Sequence, residues 1–383
     1  MNKMPPLSAD FDIPGNGHFP YAYDAVAVQD TKGAAFVVEY ANNRSSHMMQ
    51  YNFTLQQQIG ETDLVSVGYV GSRGNNLASL LQYNTPFAFY NGRSLEIPTE
   101  SQLIAQYGAT QPNPKFSDIN YFGPAGDSWY NSLQVSYQRR LTGGLQTQLS
   151  YTLAKNISNS DQSQTSNAVN TGTSSGKYAW DQRASKSLSA YHIKNTLTAS
   201  YSYDLPFGSG MSGVLGKVLS GWQTTGVLSM RSGHPGTISV GVLTALDRIG
   251  VPFRSPNTNP NFTGKLVLGT PSDGQAKYFD RNAFQYNTAT GLGARELGNL
   301  GRNTLIGPGS ITWNPGLFKS FALTEQTNLE FRTEFFNALN RPNYSFPAAS
   351  LANASGTATG TAGNISSTTT TSRQIQFALK LTW

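Results

Sequence analysis

Cysteine is absent from the 383 residues, which excludes a disulfide framework, a cysteine-ligated zinc site and a thiol nucleophile. Charge is scarce. Lys and Arg total 27 and Asp and Glu 21, or 13% of the chain, about half the share of an ordinary soluble domain. No run of about 18 apolar residues occurs, so an ordinary transmembrane helix is excluded. The net charge of +6 is spread along the chain with no block of like charges, so there is no basic arm for nucleic acid. The chain does not open with a basic segment followed by an apolar one; residues 1–30 hold Pro5, Pro6, Pro14 and Pro20 instead.

What is present is strict two-residue alternation. Ile375, Phe377, Leu379, Leu381 and Trp383 fall on one face of a strand, and Gln374, Gln376, Ala378, Lys380 and Thr382 on the other. The pattern recurs with Met49, Tyr51, Phe53 and Leu55, with Leu133, Val135 and Tyr137, and with Leu145, Leu149, Tyr151 and Leu153. Further on it returns with Leu197, Ala199, Tyr201 and Tyr203, and with Leu329, Phe331, Phe335 and Leu339. Weaker cases include Val65, Val67 and Tyr69, then Trp222, Leu228 and Met230, then Trp313 and Leu317.

The outer face of a soluble sandwich carries many Lys and Glu. Here the polar face is Gln, Ser, Thr and Asn, and the apolar face is rich in aromatics. Lipid-facing apolar residues opposite a polar lumen are the signature of a transmembrane barrel. The spacing predicts nine strands, near 48–58, 62–71, 127–141, 145–155, 193–205, 219–232, 310–322, 327–339 and 373–383, with room for a tenth at 34–41.

Tight turns at Gly60-Glu61, Thr142-Gly143-Gly144 and Thr324-Glu325-Gln326, and a Gly-rich link from Pro206 to Ser220, alternate with long segments at 72–126, 157–190, 233–309 and 340–371. Short periplasmic turns and long extracellular loops are a barrel's habit. Tyr203, Trp222, Phe321 and Trp383 cluster at the short-turn end and Trp129 and Tyr130 at the other, as interfacial girdles would. The expected fold class is therefore all-β: part of an antiparallel transmembrane β-barrel spanning 48–383, preceded by an irregular segment or external loop at 1–47. Residues 157–176 and 349–372 are low in complexity, a composition that predicts mobile loops without a core.

Enzyme signatures are lacking. His18, His47, His192 and His234 are isolated, with neither H-E-x-x-H nor a spaced metal pair. No G-x-S-x-G elbow lies in a strand–turn–helix setting, and no helix is evident. Pro271-Ser272-Asp273-Gly274 reads as a turn, since a calcium loop needs more carboxylates. Gly291-Leu292-Gly293 lacks the rest of a nucleotide loop. No cofactor is called for.

Several stretches together resemble the C-terminal barrel of TonB-dependent outer-membrane transporters, more narrowly the Oar-like receptors with a carboxypeptidase-regulatory-like domain. They are Gly68-Tyr69-Val70-Gly71-Ser72-Arg73-Gly74, Leu205-Pro206-Phe207-Gly208, Gly221-Trp222-Gln223 and Ser232-Gly233-His234-Pro235. Later come Gly298-Asn299-Leu300-Gly301-Arg302-Asn303, Gly307-Pro308-Gly309, the run from Phe331 to Tyr344, and the end from Arg373 to Leu381.

The resemblance implies an outer-membrane location, contact with outer-membrane lipid, and energy-coupled uptake of a bulky nutrient of unknown identity. It implies that the final strand, through Phe377, Leu379, Leu381 and Trp383, resembles the signal read by the barrel-assembly machinery. Members of the family also carry a signal peptide, a TonB-contacting box, a plug and earlier strands. None is visible here. The expectation is a C-terminal receptor portion that meets the TonB system only through parts outside it and does not drive coupled transport alone.

Alternation puts Glu330, Arg332 and Glu334 on one face, with Lys380 on the polar face of the expected neighbouring strand. They read as a charged wall toward plug or substrate, or as ion pairs keeping a polar lumen satisfied. Two other readings of the whole stay open: a small passive channel, and a non-membrane adhesive β-protein.

Overall fold

The computed structural model describes residues 35–38, 44–90, 92, 95–116, 119–159, 181, 183–208, 210–241, 254–286, 295–353 and 355–383. Its frame is one eleven-stranded sheet. In chain order the strands are β1 (Ala35–Val38), β2 (His47–Ile59), β3 (Asp63–Gln82), β4 (Ile119–Thr142), β5 (Leu145–Ser158), β6 (Ser187–Leu188), β7 (Asn195–Asp204), β8 (Trp222–Arg231), β9 (Ser310–Ala322), β10 (Asn328–Phe336) and β11 (Gln374–Thr382). Nine of them, without the short β1 and β6, form an antiparallel meander in which each strand pairs with the next long one. Among the described residues β2 and β11 are open edges, so the sheet does not close on itself.

Register carries the two-faced pattern across the whole sheet. Leu55, Val67, Val135, Tyr151, Leu197, Met230 and Ile311 stand side by side in one row over seven strands. The adjacent row, on the opposite face, is Gln56, Ser66, Ser136, Ser150, Thr198, Ser229 and Thr312. β-branched and aromatic side chains favour the pleated surface, and the period of two keeps each set on its own side. The apolar face is not covered: Phe53 is 64% exposed, Phe377 68% and Leu379 70%. Tyr51 stands opposite Gly71, and its ring occupies the space a Cβ at Gly71 would need.

Turn chemistry explains the short connections. The β4–β5 hairpin has Gly143 and Gly144 both at positive φ, 57° and 79°, the conformation a two-residue primed turn requires. Gly60 (φ 63°) turns β2 into β3. The β7–β8 link carries a short helix, and so does the β3–β4 loop, although the sequence predicts none. Helix α1 (Glu100–Tyr107) starts with a reciprocal capping box between Thr99 and Gln102 and ends at Gly108 in the left-handed conformation. Helix α2 spans Gly213–Leu219. Both are too short to leave a clear helical period in sequence.

Four strand expectations are refined by the structure. β3 and β4 continue to Gln82 and from Ile119, well beyond 71 and 127. Register shifts between Gly74 and Ser79, with Asn76 at φ 54°, break the alternation there while pairing resumes above. β10 ends at Phe336 because Asn337 turns at φ 50°, so Leu339 lies outside the strand. The strand allowed at 34–41 exists as β1, but it pairs parallel with Ile119–Phe122 of β4 and does not add a stave to the meander.

The main buried hydrophobic cluster lies in the long loops. Ile238, Tyr278, Phe279, Phe284, Leu305, Leu351 and Ala362 are buried together. The expectation that the loop at 349–372 buries no core is therefore overturned. Most of the bulky side chains come from the 232–309 loop; the second loop contributes Leu351 with the small Ala352 and Ala362, and its Gly363 carbonyl accepts from Tyr278 N–H at 2.8 Å. The low-complexity stretch at 160–176 lies outside the described residues.

Candidate functional site

At the long-loop end the connections interlock into one cap. Lys277 donates to Gly360 O (2.5 Å) and Asn364 Oδ1 (2.6 Å), and Arg281 to Thr359 O (3.2 Å), joining the last two loops. Arg295 donates to Ile97 O (2.9 Å) and pairs with Glu96 (3.4 Å), bringing in the β3–β4 loop. Arg302 reaches Ser185 O and Ser158 O at 3.1 and 3.3 Å, and Asn303 reaches Leu188 O at 2.7 Å. The Gly298–Asn303 motif thus works as a clasp on the β5–β7 connection.

The cap has an open cleft of about 360 Å³, lined in part by Thr270, Ser272, Asp273, Tyr278, Arg341 and Tyr344. Pro271–Asp273 is a single turn, as its sequence predicts. Thr270 N–H and Oγ1–H both donate to Asp273 Oδ2, at 2.8 and 2.9 Å. Those hydrogen bonds, with Arg341 and Lys265 nearby, hold the Asp273 carboxyl below the usual carboxylate range. Ser272 Oγ and Tyr344 OH are 2.9 Å apart. Tyr278 donates to Ile306 O at 2.8 Å, and burial pushes its phenol up. An anion, a cation and phenols around one opening suit a polar, hydroxyl-rich ligand. Sequence reasoning found the turn and the Arg341–Tyr344 motif separately. No spacing shows that segments about seventy residues apart share a wall.

The four charged residues singled out from sequence lie on the polar face of the last strands. Glu330 stands opposite Lys380 in register, and Glu334 opposite Gln376. Arg332 pairs with Glu330 and lies 5.7 Å over the Phe318 ring. On the apolar face of the final strand, Phe377 stacks on Phe331 at 6.4 Å, Leu379 and Leu381 are exposed, and Trp383 is 88% exposed.

The short-turn end carries aromatics on the apolar face, with Lys319 among them. Trp222, Lys319 and Phe331 are neighbours in one row. Lys319 is 2% exposed, its ammonium 5.8 Å over Trp222 and 5.0 Å over Phe321, and it donates to Ser220 O. An apolar stem with its charge led to the rim is how lysine tolerates such a surface.

His192 is buried and its Nδ1 accepts from Asn156 N–H at 3.2 Å. Burial, then Lys155 and Lys194, hold its pKa below the ordinary value. His234 lies at a strand-end turn, its carbonyl accepting from Gly307 N–H. Among the described residues no group of three His, Asp or Glu could hold a metal, and no helix is long and apolar enough to cross a membrane.

A nine-strand meander with one bare apolar face, one polar face and a loop cap at one end defines the wall of an outer-membrane β-barrel. The chain belongs to the outer membrane beta barrel domain family, whose model matches residues 4–376. It resides in the outer membrane. No curated protein matches the chain in sequence. Solved structures similar to it include the outer membrane transporter YddB from Escherichia coli, at 10% identity and TM-score 0.44 over 92% of this chain and 34% of that one. Another is the FrpB iron transporter from Neisseria meningitidis, at 11% identity and TM-score 0.39 over 90% and 32%. A third is the FpvAI–pyocin S2 complex, at 11% identity and TM-score 0.36 over 88% and 27%. The chain spans about a third of the length of these proteins.

Proposed function

We propose that residues 48–383 form the C-terminal section of the barrel wall of a TonB-dependent, Oar-like receptor that takes up a bulky nutrient. The observation that carries this is the two-faced meander whose edges at β2 and β11 are open among the described residues. At membrane depth unpaired edge amides have no water to bond, so such a wall functions only when further strands complete the ring. The motif resemblance supports the transporter class. On this reading Glu330, Arg332, Glu334 and Lys380 face the lumen, and Phe377, Leu379, Leu381 and Trp383 present the assembly signal. The cap cleft at Asp273, Arg341 and Tyr344 is the first contact for a hydroxyl-rich nutrient.

Force from the TonB system acts through a plug and contact box, not through this wall, so the wall alone does not perform coupled uptake. Uptake assays in cells expressing only residues 48–383 test this. The expected result is no TonB-dependent accumulation of any siderophore, vitamin, peptide or glycan offered. TonB-dependent uptake by that segment would overturn it.

A further inference from the structure

The link from Leu205 to Gly221 leaves its apolar side chains in the open. Val214 is 78% exposed, Leu215 71%, Phe207 61%, Met211 58% and Val218 50%. In α2, Val214, Val218, Leu215 and Leu219 follow one another around a single arc of about 140° at 100° per residue. Gly216 is the buried contact, packed on Met211 O, where a Cβ would clash. A seven-residue helix gains little from its own hydrogen bonds and needs a surface that covers its apolar arc.

The helix is fastened to the bare face of the sheet. Trp222 Nε1 donates to Val218 O at 3.0 Å, and Lys319 donates to Ser220 O. Trp222 and Lys319 are register partners on the apolar face. The exposed residues of the link therefore continue the lipid-facing belt at its short-turn end, and no other element packs over the arc among the described residues.

We infer that this link is a membrane-interface anchor: α2, with Phe207 and Met211, lies in the phospholipid leaflet beside the short turns. Acyl chains cover Val214, Leu215 and Val218, and Lys217 reaches the headgroup phosphates. The anchor holds the β7–β8 rim at the level of the headgroups. The inference rests on the outer-membrane reading of the belt, so its test includes belt positions.

With no native cysteine to remove, Val214→Cys, Leu215→Cys, Phe377→Cys and Glu61→Cys can each carry a single bimane label. The full chain is placed in vesicles of phosphatidylethanolamine and phosphatidylglycerol, with doxyl-labelled lipid as one quencher and aqueous iodide as the other. Val214 and Leu215 are so exposed that neither change removes packing. The expected result is several-fold stronger quenching by lipid than by iodide at 214, 215 and 377, and the reverse at 61. Iodide quenching at 214 and 215 with lipid quenching kept at 377 would overturn the anchor and leave the belt standing. Protection of 214 and 215 from both quenchers would show a protein covering them and would also overturn it. Iodide quenching at 377 would overturn the belt reading itself.

Discussion

The side chain of Asn343 takes the place of a strand partner for Ile311. Its Oδ1 accepts from Ile311 N–H at 2.8 Å and its Nδ2 donates to Ile311 O at 3.1 Å. Asn343 is fully buried, Nδ2 also reaches Thr370 Oγ1 at 3.0 Å, and its carbonyl accepts from Thr369 N–H at 2.6 Å. One amide thus ties the top of β9 to the last long loop. Asn343→Leu orphans both backbone groups of Ile311 and is expected to cost about 2 kcal/mol or more. The denaturant midpoint of the chain in lipid vesicles measures it; an unchanged midpoint would show that the clasp contributes nothing.

Val135 and Ser136 are neighbours in β4 that face opposite ways, each in the middle of a row that crosses seven strands. Val135→Lys puts a charge into hydrocarbon and is expected to destabilise by about 2–4 kcal/mol. Ser136→Lys adds a charge to the wet face and should stay within about 0.5 kcal/mol. Equal effects in a vesicle unfolding titration would contradict the assignment of faces.

Much of the wall was legible in the sequence because pairing at membrane depth demands an unbroken period of two. The expected 310–322 strand matches β9, and most other expected strands fall within a few residues of the observed ones. Legibility failed where the period did. The Gly74–Ser79 irregularity hid the upper halves of β3 and β4. The cap was unreadable for another reason. Its core joins Phe279 and Phe284 to Leu351 and Ala362 across a long stretch of chain, and composition alone made the second loop look coreless. The cleft joins Asp273 to Arg341 in the same nonlocal way. The charged wall was legible to the level of faces: alternation placed Glu330 and Lys380 on one side, and register adds that they are direct partners.

The Glu330–Arg332 pair is partly exposed on the polar face, with side chains 28% and 37% accessible. Such pairs contribute about 0–1 kcal/mol. Glu330→Gln is therefore expected to leave the folded yield and the unfolding midpoint nearly unchanged. If lumen charge guides the nutrient, Glu334→Ala in a receptor containing this wall changes transport without lowering that yield. A large loss of folded barrel on either change would show that the charges stabilise the wall and do not serve passage.

A pH dependence of stability is expected at the long-loop end from His192. Its folded pKa lies below the ordinary value of about 6.5, so the unfolded state binds the proton more readily. The contribution of neutral His192 is complete above about pH 6.5 and is lost as pH falls from there toward the depressed folded value. Melting curves at pH 7.5 and 5.5 should show a drop for the native chain that is smaller in His192→Asn, which keeps an acceptor for Asn156 N–H. An identical drop in both would place the titration elsewhere.

Lipid covers the apolar rows and water wets the polar ones. Spin labels on single cysteines at Val135, Tyr151 and Leu197, and at Ser136, Ser150 and Thr198, test it through collision with oxygen and with a water-soluble nickel complex. Strict alternation is expected: oxygen-accessible and nickel-shielded at the first three, nickel-accessible at the last three. Nickel access at Val135, Tyr151 and Leu197, or shielding of these three from both reagents, would contradict it.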